Sequence, residues 1–116
     1  MVSLLNIPSD ATVFESAGFD FLCLPIPDGG APTCAQAEEF IQFVGQHHSD
    51  GRAVAVHCEA GLGRTGTMLA LYLMSTGDNA RTAIGKVRAV ERSAVETNRQ
   101  IQFLELHVKR LPAPGL

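Results

Sequence analysis

The sequence predicts a small α/β domain in which a parallel sheet is flanked by helices. Its length of 116 residues is enough for one domain and too short for two. Hydrophobic residues make up 46% of the chain and charged residues 18%, which favours a packed core over disorder. Short apolar segments alternate with segments of helical periodicity along the chain. We therefore treat residues 1–116 as a single minimal domain.

The first part of the chain predicts two strands, a short helix and a loop. Residues 2–7 and residues 19–24 are short and mostly apolar, as buried strands are. Between them, Asp10 can cap a helix through residue 15, and a glycine then ends it. Residues 25–32 hold three prolines and two glycines around Asp28, which predicts a loop because proline stops a strand.

The middle of the chain predicts a helix, a strand and a glycine-rich loop. A helix from Thr33 or Cys34 to about residue 48 has one apolar face. The residues on this face are Ala37, Phe40, Ile41 and Val44. Residues 53–56 form a short, continuously apolar strand, as expected when both faces of a sheet are covered. The loop occupies residues 58–63.

The last part of the chain predicts three helices. Residues 65–76 are rich in Leu, Met and Ala, and Asn79 can cap a helix that ends near residue 91. Thr97 can cap the final helix, which runs to residue 111 before two prolines. Ligands of parallel α/β sheets bind at the carboxyl ends of the strands, where Cys58 falls.

The segment HCEAGLGRTG, residues 57–66, follows a predicted buried strand and opens a predicted helix. A tight turn of this kind directs backbone N–H groups inward, and the helix N-terminus adds unpaired N–H groups and a positive dipole end. Its glycines permit backbone torsions that other residues resist. We therefore predict that the loop binds a tetrahedral dianion such as phosphate. The residues expected around it are Glu59, Ala60, Gly61, Leu62, Gly63 and Arg64.

Four side chains of this segment have predicted roles. The field that binds phosphate also stabilises a thiolate, so Cys58 is the predicted nucleophile. The planar fork of Arg64 can hold two phosphoryl oxygens at once, which a lysine cannot do. The Thr65 hydroxyl is expected to donate to the Cys58 sulfur, and His57 to orient the loop through a ring N–H. A lone cysteine after a strand is usually a core residue, but the combined pattern favours catalysis.

This segment resembles the active-site loop of the dual-specificity protein tyrosine phosphatases. It is most similar to the loop of the small atypical members and of the cell-cycle phosphatases related to them. The segment Pro25-Ile26-Pro27-Asp28 resembles the loop that carries the family's general acid, which implies that role for Asp28. Residues 92–104 resemble a late segment of the family, without the proline that often follows its arginine. There, Gln100 either helps to position a water molecule or is a solvated helix residue.

The resemblance implies an enzyme that hydrolyses phosphate monoesters through a phosphocysteine at Cys58. The implied substrates are phosphotyrosine, and also phosphoserine and phosphothreonine, in a phosphorylated protein or peptide. No metal and no other cofactor is implied. Asp28 would protonate the leaving oxygen and then accept a proton from the water that hydrolyses the phosphocysteine.

One departure from the family concerns the strand before Cys58, which is a central strand in family members. Family domains usually carry additional N-terminal residues that supply two further strands beside it. Their absence here predicts that the strand over residues 53–57 lies at an exposed sheet edge. A homodimer that pairs two such edges is one expected consequence.

Other functions remain open at this point. A phosphate-binding module without turnover would need neither the thiol nor Asp28. A phosphoinositide phosphatase or an RNA 5′-triphosphate phosphatase is also possible on this scaffold. Phosphoinositide phosphatases tend to have basic residues inside the loop, where this chain has Glu59 and Leu62.

Charge and cysteine content restrict partners and location. The formal net charge of −3 argues against a general nucleic-acid binder, and no apolar run is long enough to span a membrane. Three cysteines without regular spacing predict neither a zinc site nor a secreted disulfide scaffold, and favour the reducing cytoplasm. Cys34 is either a bystander thiol or the partner of oxidised Cys58 in a protective disulfide.

Overall fold

The computed structural model describes residues 1–7, 9–59 and 62–107. It contains three short strands and five helices, in the order that the sequence predicts. The elements are β1 (Val2–Ser3), α1 (Ser9–Ser16), β2 (Leu22–Cys23), α2 (Cys34–Ser49), β3 (Val56–His57), α3 (Gly63–Ser75), α4 (Ala80–Val90) and α5 (Asn98–His107). The predicted α/β fold class is confirmed. The predicted end of the last helix, at residue 111, lies outside the described residues.

The three strands form one parallel sheet in the order β2-β1-β3. Val2 of β1 pairs with Leu22 on one side and with Val56 on the other. Among the described residues β3 is therefore an edge strand, as expected for this chain, and does not have the central position of the family's strand. The carboxyl ends of all three strands point to the same edge of the sheet, where the loop after β3 begins.

The assigned strands are shorter than the predicted ones, but their hydrogen bonding extends further. The Leu4 N–H donates to the His57 carbonyl over 3.0 Å, and the Leu24 N–H donates to the Ser3 carbonyl over 2.9 Å. The Ile26 N–H then donates to the Leu4 carbonyl over 3.0 Å. The loop that carries Asp28 is thereby attached to the central strand two residues before the aspartate.

Helix α3 is the centre of the core. Each of its first six residues, Gly63 to Met68, is buried, and Leu71 and Met74 continue the buried face. On the predicted apolar face of α2, Ala37, Phe40 and Val44 are buried, whereas Ile41 is only partly buried. The polar residues that open α3 are thus enclosed by the core, which holds them in fixed positions.

Side-chain caps place the starts of three helices. Thr33 and Gln36 form a capping box at α2, and the Asn79 side chain accepts a hydrogen bond from the Thr82 N–H at α4. At α5, the Gln100 N–H donates to Thr97 Oγ1 and the Thr97 N–H donates to Gln100 Oε1. The predicted caps Asn79 and Thr97 are therefore confirmed.

Asp20, just before β2, contacts both the N-terminus of the chain and the end of α2. Its carbonyl accepts a hydrogen bond from the Met1 ammonium, and its carboxylate contacts His47 Nε2 at 2.8 Å and Arg52 Nη1 at 2.9 Å. The hydrogen bond from His47, followed by the charge of Arg52, lowers the pKa of Asp20 below its usual value. Because the pKa is lower in the folded state, ionised Asp20 stabilises the fold at pH values above its ordinary pKa. This contribution is lost as the pH falls through the folded-state pKa.

Gly66 on α3 faces the segment that joins α4 to α5. A Cβ at Gly66 would lie 2.6 Å from the Cα of Ala94, which is a backbone contact that no rotamer change relieves. We expect Gly66→Ala to lower the free energy of unfolding by about 1–3 kcal/mol. We expect this net loss even though the higher helix propensity of alanine would by itself stabilise the variant by about 1 kcal/mol. Urea unfolding measures it.

The matched control is Gly85→Ala in α4. A Cβ at Gly85 meets no described heavy atom within 4 Å. Only the helix propensity then changes, and we expect a gain of about 0.5–1 kcal/mol. If Gly66→Ala were as stable as Gly85→Ala, the close packing of α3 against Ala94 would be refuted.

Among the described residues, each helix is either too short or too polar to cross a bilayer.

Candidate active site

Cys58 directly follows β3 and lies at the carboxyl edge of the sheet. The Thr65 hydroxyl donates to the Cys58 sulfur over 2.9 Å. Thr65 is buried in the first turn of α3, whereas Cys58 is partly exposed. A hydroxyl fixed by the core is therefore directed at the sulfur of a partly buried cysteine.

Arg64 links the loop around Asp28 to the loop around Cys58. Its side chain is only 8% exposed. Nη1 donates to the Ile26 carbonyl over 2.9 Å, and Nη2 donates to the Glu59 carbonyl over 2.8 Å. A guanidinium has five N–H donors, and three of those of Arg64 make no hydrogen bond to a described residue. The carbonyl contacts fix the plane of the fork before any substrate arrives.

Asp28 lies beside this guanidinium but remains open to solvent. Its Oδ1 is 3.9 Å from Arg64 Nε, and its side chain is 69% exposed. The backbone around it forms a turn, closed by a hydrogen bond from the Gly30 N–H to the Pro27 carbonyl over 2.8 Å. The carboxyl group thus lies at the tip of a turn, on the solvent side of Arg64.

The start of α3 has the features of an anion site. Leu62 is the N-cap residue and makes no side-chain capping bond, so the first N–H groups of the helix are not occupied by a cap. Gly63 is buried, and a Cβ there would lie 2.9 Å from the Cβ of Glu96. Glu59 is exposed. Ala60 and Gly61, the other two predicted loop residues, lie outside the described residues.

Comparison with known proteins identifies the family. Residues 2–78 match the family model described as "Tc-R-P: Polymorphic toxin system, DSP-PTPase phosphatase". This chain belongs to the dual-specificity protein tyrosine phosphatase family. The resemblance noted in the sequence is therefore confirmed at the level of the family.

Relatives in this family are longer than the chain. Human dual specificity protein phosphatase CDC14C is 48% identical over 65 residues, which cover 56% of this chain and 14% of the relative. Human protein tyrosine phosphatase type IVA 3 is 32% identical over 107 residues, which cover 90% of this chain and 61% of the relative. The chain thus spans less than two thirds of both.

The fold of a solved family member agrees closely with this structure. The crystal structure of Tk-PTP in the active form has a TM-score of 0.88 and 34% sequence identity. The match covers 95% of this chain and 78% of that chain. The chain therefore shares the overall fold of this family member.

The burial of Gln100 contradicts one of its two sequence-based interpretations. It is fully buried, so it is not a solvated helix residue. Its Oε1 accepts from the Glu96 and Thr97 N–H groups, and its Nε2 donates to the Gly30 carbonyl over 3.1 Å. Two backbone N–H groups thereby occupy Oε1, and the water-positioning role that the family resemblance implied stays a prediction.

His57 also differs from the prediction. Its Nε2 is buried and has no hydrogen-bond partner among the described residues. The ring instead lies near that of Phe14 in α1, with 6.0 Å between the centroids. Nε2 therefore does not make the hydrogen bond that was expected to orient the loop. The ring packs against α1 instead.

The sequence left two interpretations of a second cysteine open. Cys34 begins α2 and lines a small cleft with Phe103 and His107. Within the residues that the structure describes, no three His, Cys, Asp or Glu side chains are grouped so that they could hold a metal ion.

Thr97 has a role that its sequence pattern did not predict, because it contacts the Asp28 loop as well as capping α5. Its Thr-x-x-Gln pattern signalled only the cap.

Proposed function

We propose that this domain hydrolyses phosphate monoesters through a phosphocysteine at Cys58. The proposed substrates are phosphotyrosine, and also phosphoserine and phosphothreonine, in proteins or peptides, without a metal or other cofactor. The observation that carries the proposal is the contact of 2.9 Å between Thr65 Oγ1 and the Cys58 sulfur, beside the pre-oriented Arg64. A phosphate-binding role alone requires neither the sulfur nor the hydroxyl directed at it.

In the first step, the Cys58 thiolate attacks phosphorus. The S–P bond forms as the P–O bond to the leaving group breaks. The free N–H groups of Arg64 and of the α3 N-terminus stabilise the charge on the equatorial oxygens. Asp28, as the carboxylic acid, gives its proton to the leaving oxygen.

In the second step, water attacks phosphorus and the S–P bond breaks. The Asp28 carboxylate accepts a proton from that water. The Thr65 hydroxyl donates to the departing sulfur, which leaves as a thiolate. Inorganic phosphate is released, and Cys58 and Asp28 return to their starting states.

Rapid acid quench followed by mass spectrometry tests this proposal. The wild-type chain is mixed with a phosphotyrosine peptide in the presence of a chelator and quenched during turnover. We expect one phosphoryl group on the peptide that contains Cys58. Turnover without any phosphorylated Cys58, or loss of turnover on chelation, would contradict the mechanism. Complete absence of turnover would favour the phosphate-binding module.

The role of Asp28 is tested by Asp28→Asn. A substrate with a poor leaving group, phenyl phosphate, should lose about 10²–10⁴-fold in kcat/KM, because general acid catalysis contributes about that much. The rate with p-nitrophenyl phosphate should fall much less, since its leaving group needs little protonation. Asp50→Asn, at the exposed C-cap of α2, is the matched control and should leave both rates unchanged. An equal loss with both substrates would exclude Asp28 as the acid.

Two other phosphatase classes remain as alternatives. Neither phosphoinositide nor RNA 5′-triphosphate hydrolysis is favoured by the loop, in which Glu59 and Leu62 replace the basic residues that extra phosphates require. Turnover of a phosphotyrosine peptide, a phosphoinositide and triphosphate-ended RNA, measured side by side, separates the three. If the phosphoinositide or the RNA is turned over faster than the phosphotyrosine peptide, the proposed substrate class is wrong.

We also propose that two copies pair through β3. The β1 ladder uses the Ala55 and His57 carbonyls, so strand alternation turns the Val56 N–H and C=O away from β1. Antiparallel pairing of two identical edges about a two-fold axis would satisfy these groups. We expect light scattering to give the mass of a dimer at high micromolar concentration.

The control for this dimer is the double variant Ala53→Lys, Ala55→Lys. Both alanines are exposed on the outer face of the β3 segment, so lysines should be tolerated there. Like charges across the two-fold axis should then shift the mass to one chain. A wild type that stays monomeric at that concentration would refute the pairing.

The remaining expectations on partners and location are proposals from the sequence. We propose a reducing compartment, the cytoplasm, because a thiolate nucleophile must remain reduced to act. We propose neither a nucleic-acid partner nor a membrane partner.

A further inference from the structure

Gln100 connects three segments of the active site from a position without solvent contact. Its Oε1 accepts from the Glu96 N–H over 2.7 Å and from the Thr97 N–H over 3.0 Å. Its Nε2 donates to the Gly30 carbonyl over 3.1 Å. A Cβ on Gly63 would lie 3.3 Å from the same Oε1, so the amide also lies against the first residue of α3. A buried amide with its acceptor fully used has one orientation available.

Thr97 makes a second, separate contact with the same loop. Its Oγ1 donates to the Gly29 carbonyl over 2.8 Å and accepts from the Gln100 N–H over 3.2 Å. Gly29 has a φ of +74°, a conformation that favours glycine. The two carbonyls that follow Asp28 are therefore each held by one side chain of the α5 capping box.

The residues before Asp28 are held from the opposite side. Arg64 Nη1 donates to the Ile26 carbonyl, and the Ile26 N–H donates to Leu4 of the central strand segment. Asp28 thus lies between one anchor on the phosphate-binding side and another on α5. The described hydrogen bonds thus attach the loop on both sides of Asp28.

We propose that Thr97 and Gln100 are positioning residues that hold the carboxyl group of Asp28 at the leaving-group oxygen. The inference rests on the proposed function, since it assigns the α5 capping box to the general-acid step. Thr97 and Gln100 touch neither substrate nor phosphorus. Their loss should impair protonation of the leaving group and spare the attack of Cys58.

The test is Thr97→Val, which keeps the shape of threonine and removes the hydroxyl. We expect kcat/KM for phenyl phosphate to fall about tenfold, because one hydrogen bond that positions the acid is lost. The rate with p-nitrophenyl phosphate should fall less than about twofold. A plot of log kcat/KM against leaving-group pKa should become steeper. Thr97→Ser, which restores the hydroxyl, should return both rates to wild-type values.

A purely structural role of the cap is separated by Asn79→Ala. The Asn79 side chain caps α4 by accepting a comparable hydrogen bond from the Thr82 N–H, and among the described residues no hydrogen bond joins it to the Asp28 loop. Both variants should lose about 1 kcal/mol of stability in urea unfolding. Only Thr97→Val should change the ratio of the two rates. Gln100→Met, measured at a temperature where it is folded, should change that ratio in the same direction.

Two outcomes overturn different claims. If the wild type turns over both substrates and Thr97→Val lowers both rates equally, the positioning role is wrong and the proposed phosphatase function stands. If the wild type turns over neither substrate, the proposed function itself fails.

Discussion

Cys58→Ser is expected to lower kcat for p-nitrophenyl phosphate by at least about 10⁴-fold, a loss typical of removing the nucleophile from a covalent enzyme. Serine keeps the position of the nucleophile but stays protonated near neutral pH, because a hydroxyl is a far weaker acid than a thiol. The Thr65 hydroxyl that donates to the sulfur over 2.9 Å favours an anion there and cannot activate a serine as a base would. Steady-state release of phosphate measures the effect.

Two controls separate chemistry from folding in this experiment. Cys23→Ser changes an exposed thiol on β2 and should retain the wild-type rate. Cys58→Ser should still bind inorganic phosphate, seen as a rise in Tm with phosphate concentration, because the N-terminus of α3 and Arg64 remain. A rate within tenfold of the wild type in Cys58→Ser would refute the phosphocysteine mechanism.

Signals that lie within a few residues of one another predicted most of the fold. Asn79 and Thr97 marked helix starts because an N-cap needs only a polar side chain and an N–H three residues later. The glycine-rich loop over residues 58–63 could likewise be predicted from residues that are neighbours in the sequence. The strand lengths were overestimated, because pairing depends on neighbours that the strand's own sequence does not encode.

Contacts between distant residues account for the errors at the site. Gln100 and Gly30 are 70 positions apart, so the pattern of α5 gave no indication that its cap holds the Asp28 loop. The pattern Thr-x-x-Gln is fully explained by capping alone, and the second use of both side chains required the folded arrangement. The same limit applies to His57, whose ring lies near that of Phe14, a residue 43 positions earlier in the chain.

The environment of Arg64 explains how the two loops can act together. Its fork donates to Ile26 on one loop and to Glu59 on the other, and its Nε faces Asp28 at 3.9 Å. A phosphoryl group bound at the remaining N–H groups would lie between the nucleophile and the acid. One side chain thus contacts both loops through its fork and also carries a positive charge.

Arg64→Lys is accordingly expected to lower kcat by about 10²–10³-fold, the range seen when a preorganised donor to a transition-state anion is lost. A lysine keeps the charge, but its single nitrogen cannot donate to Ile26, Glu59 and two phosphoryl oxygens together. Arg52→Lys, at an exposed ion-pair residue between α2 and β3, is the matched control and should keep the wild-type rate. Because Arg64 is buried, urea unfolding must show that the variant is folded at the assay temperature. A folded Arg64→Lys with a rate near that of the wild type would show that charge alone suffices, and the fork geometry would then have no catalytic role.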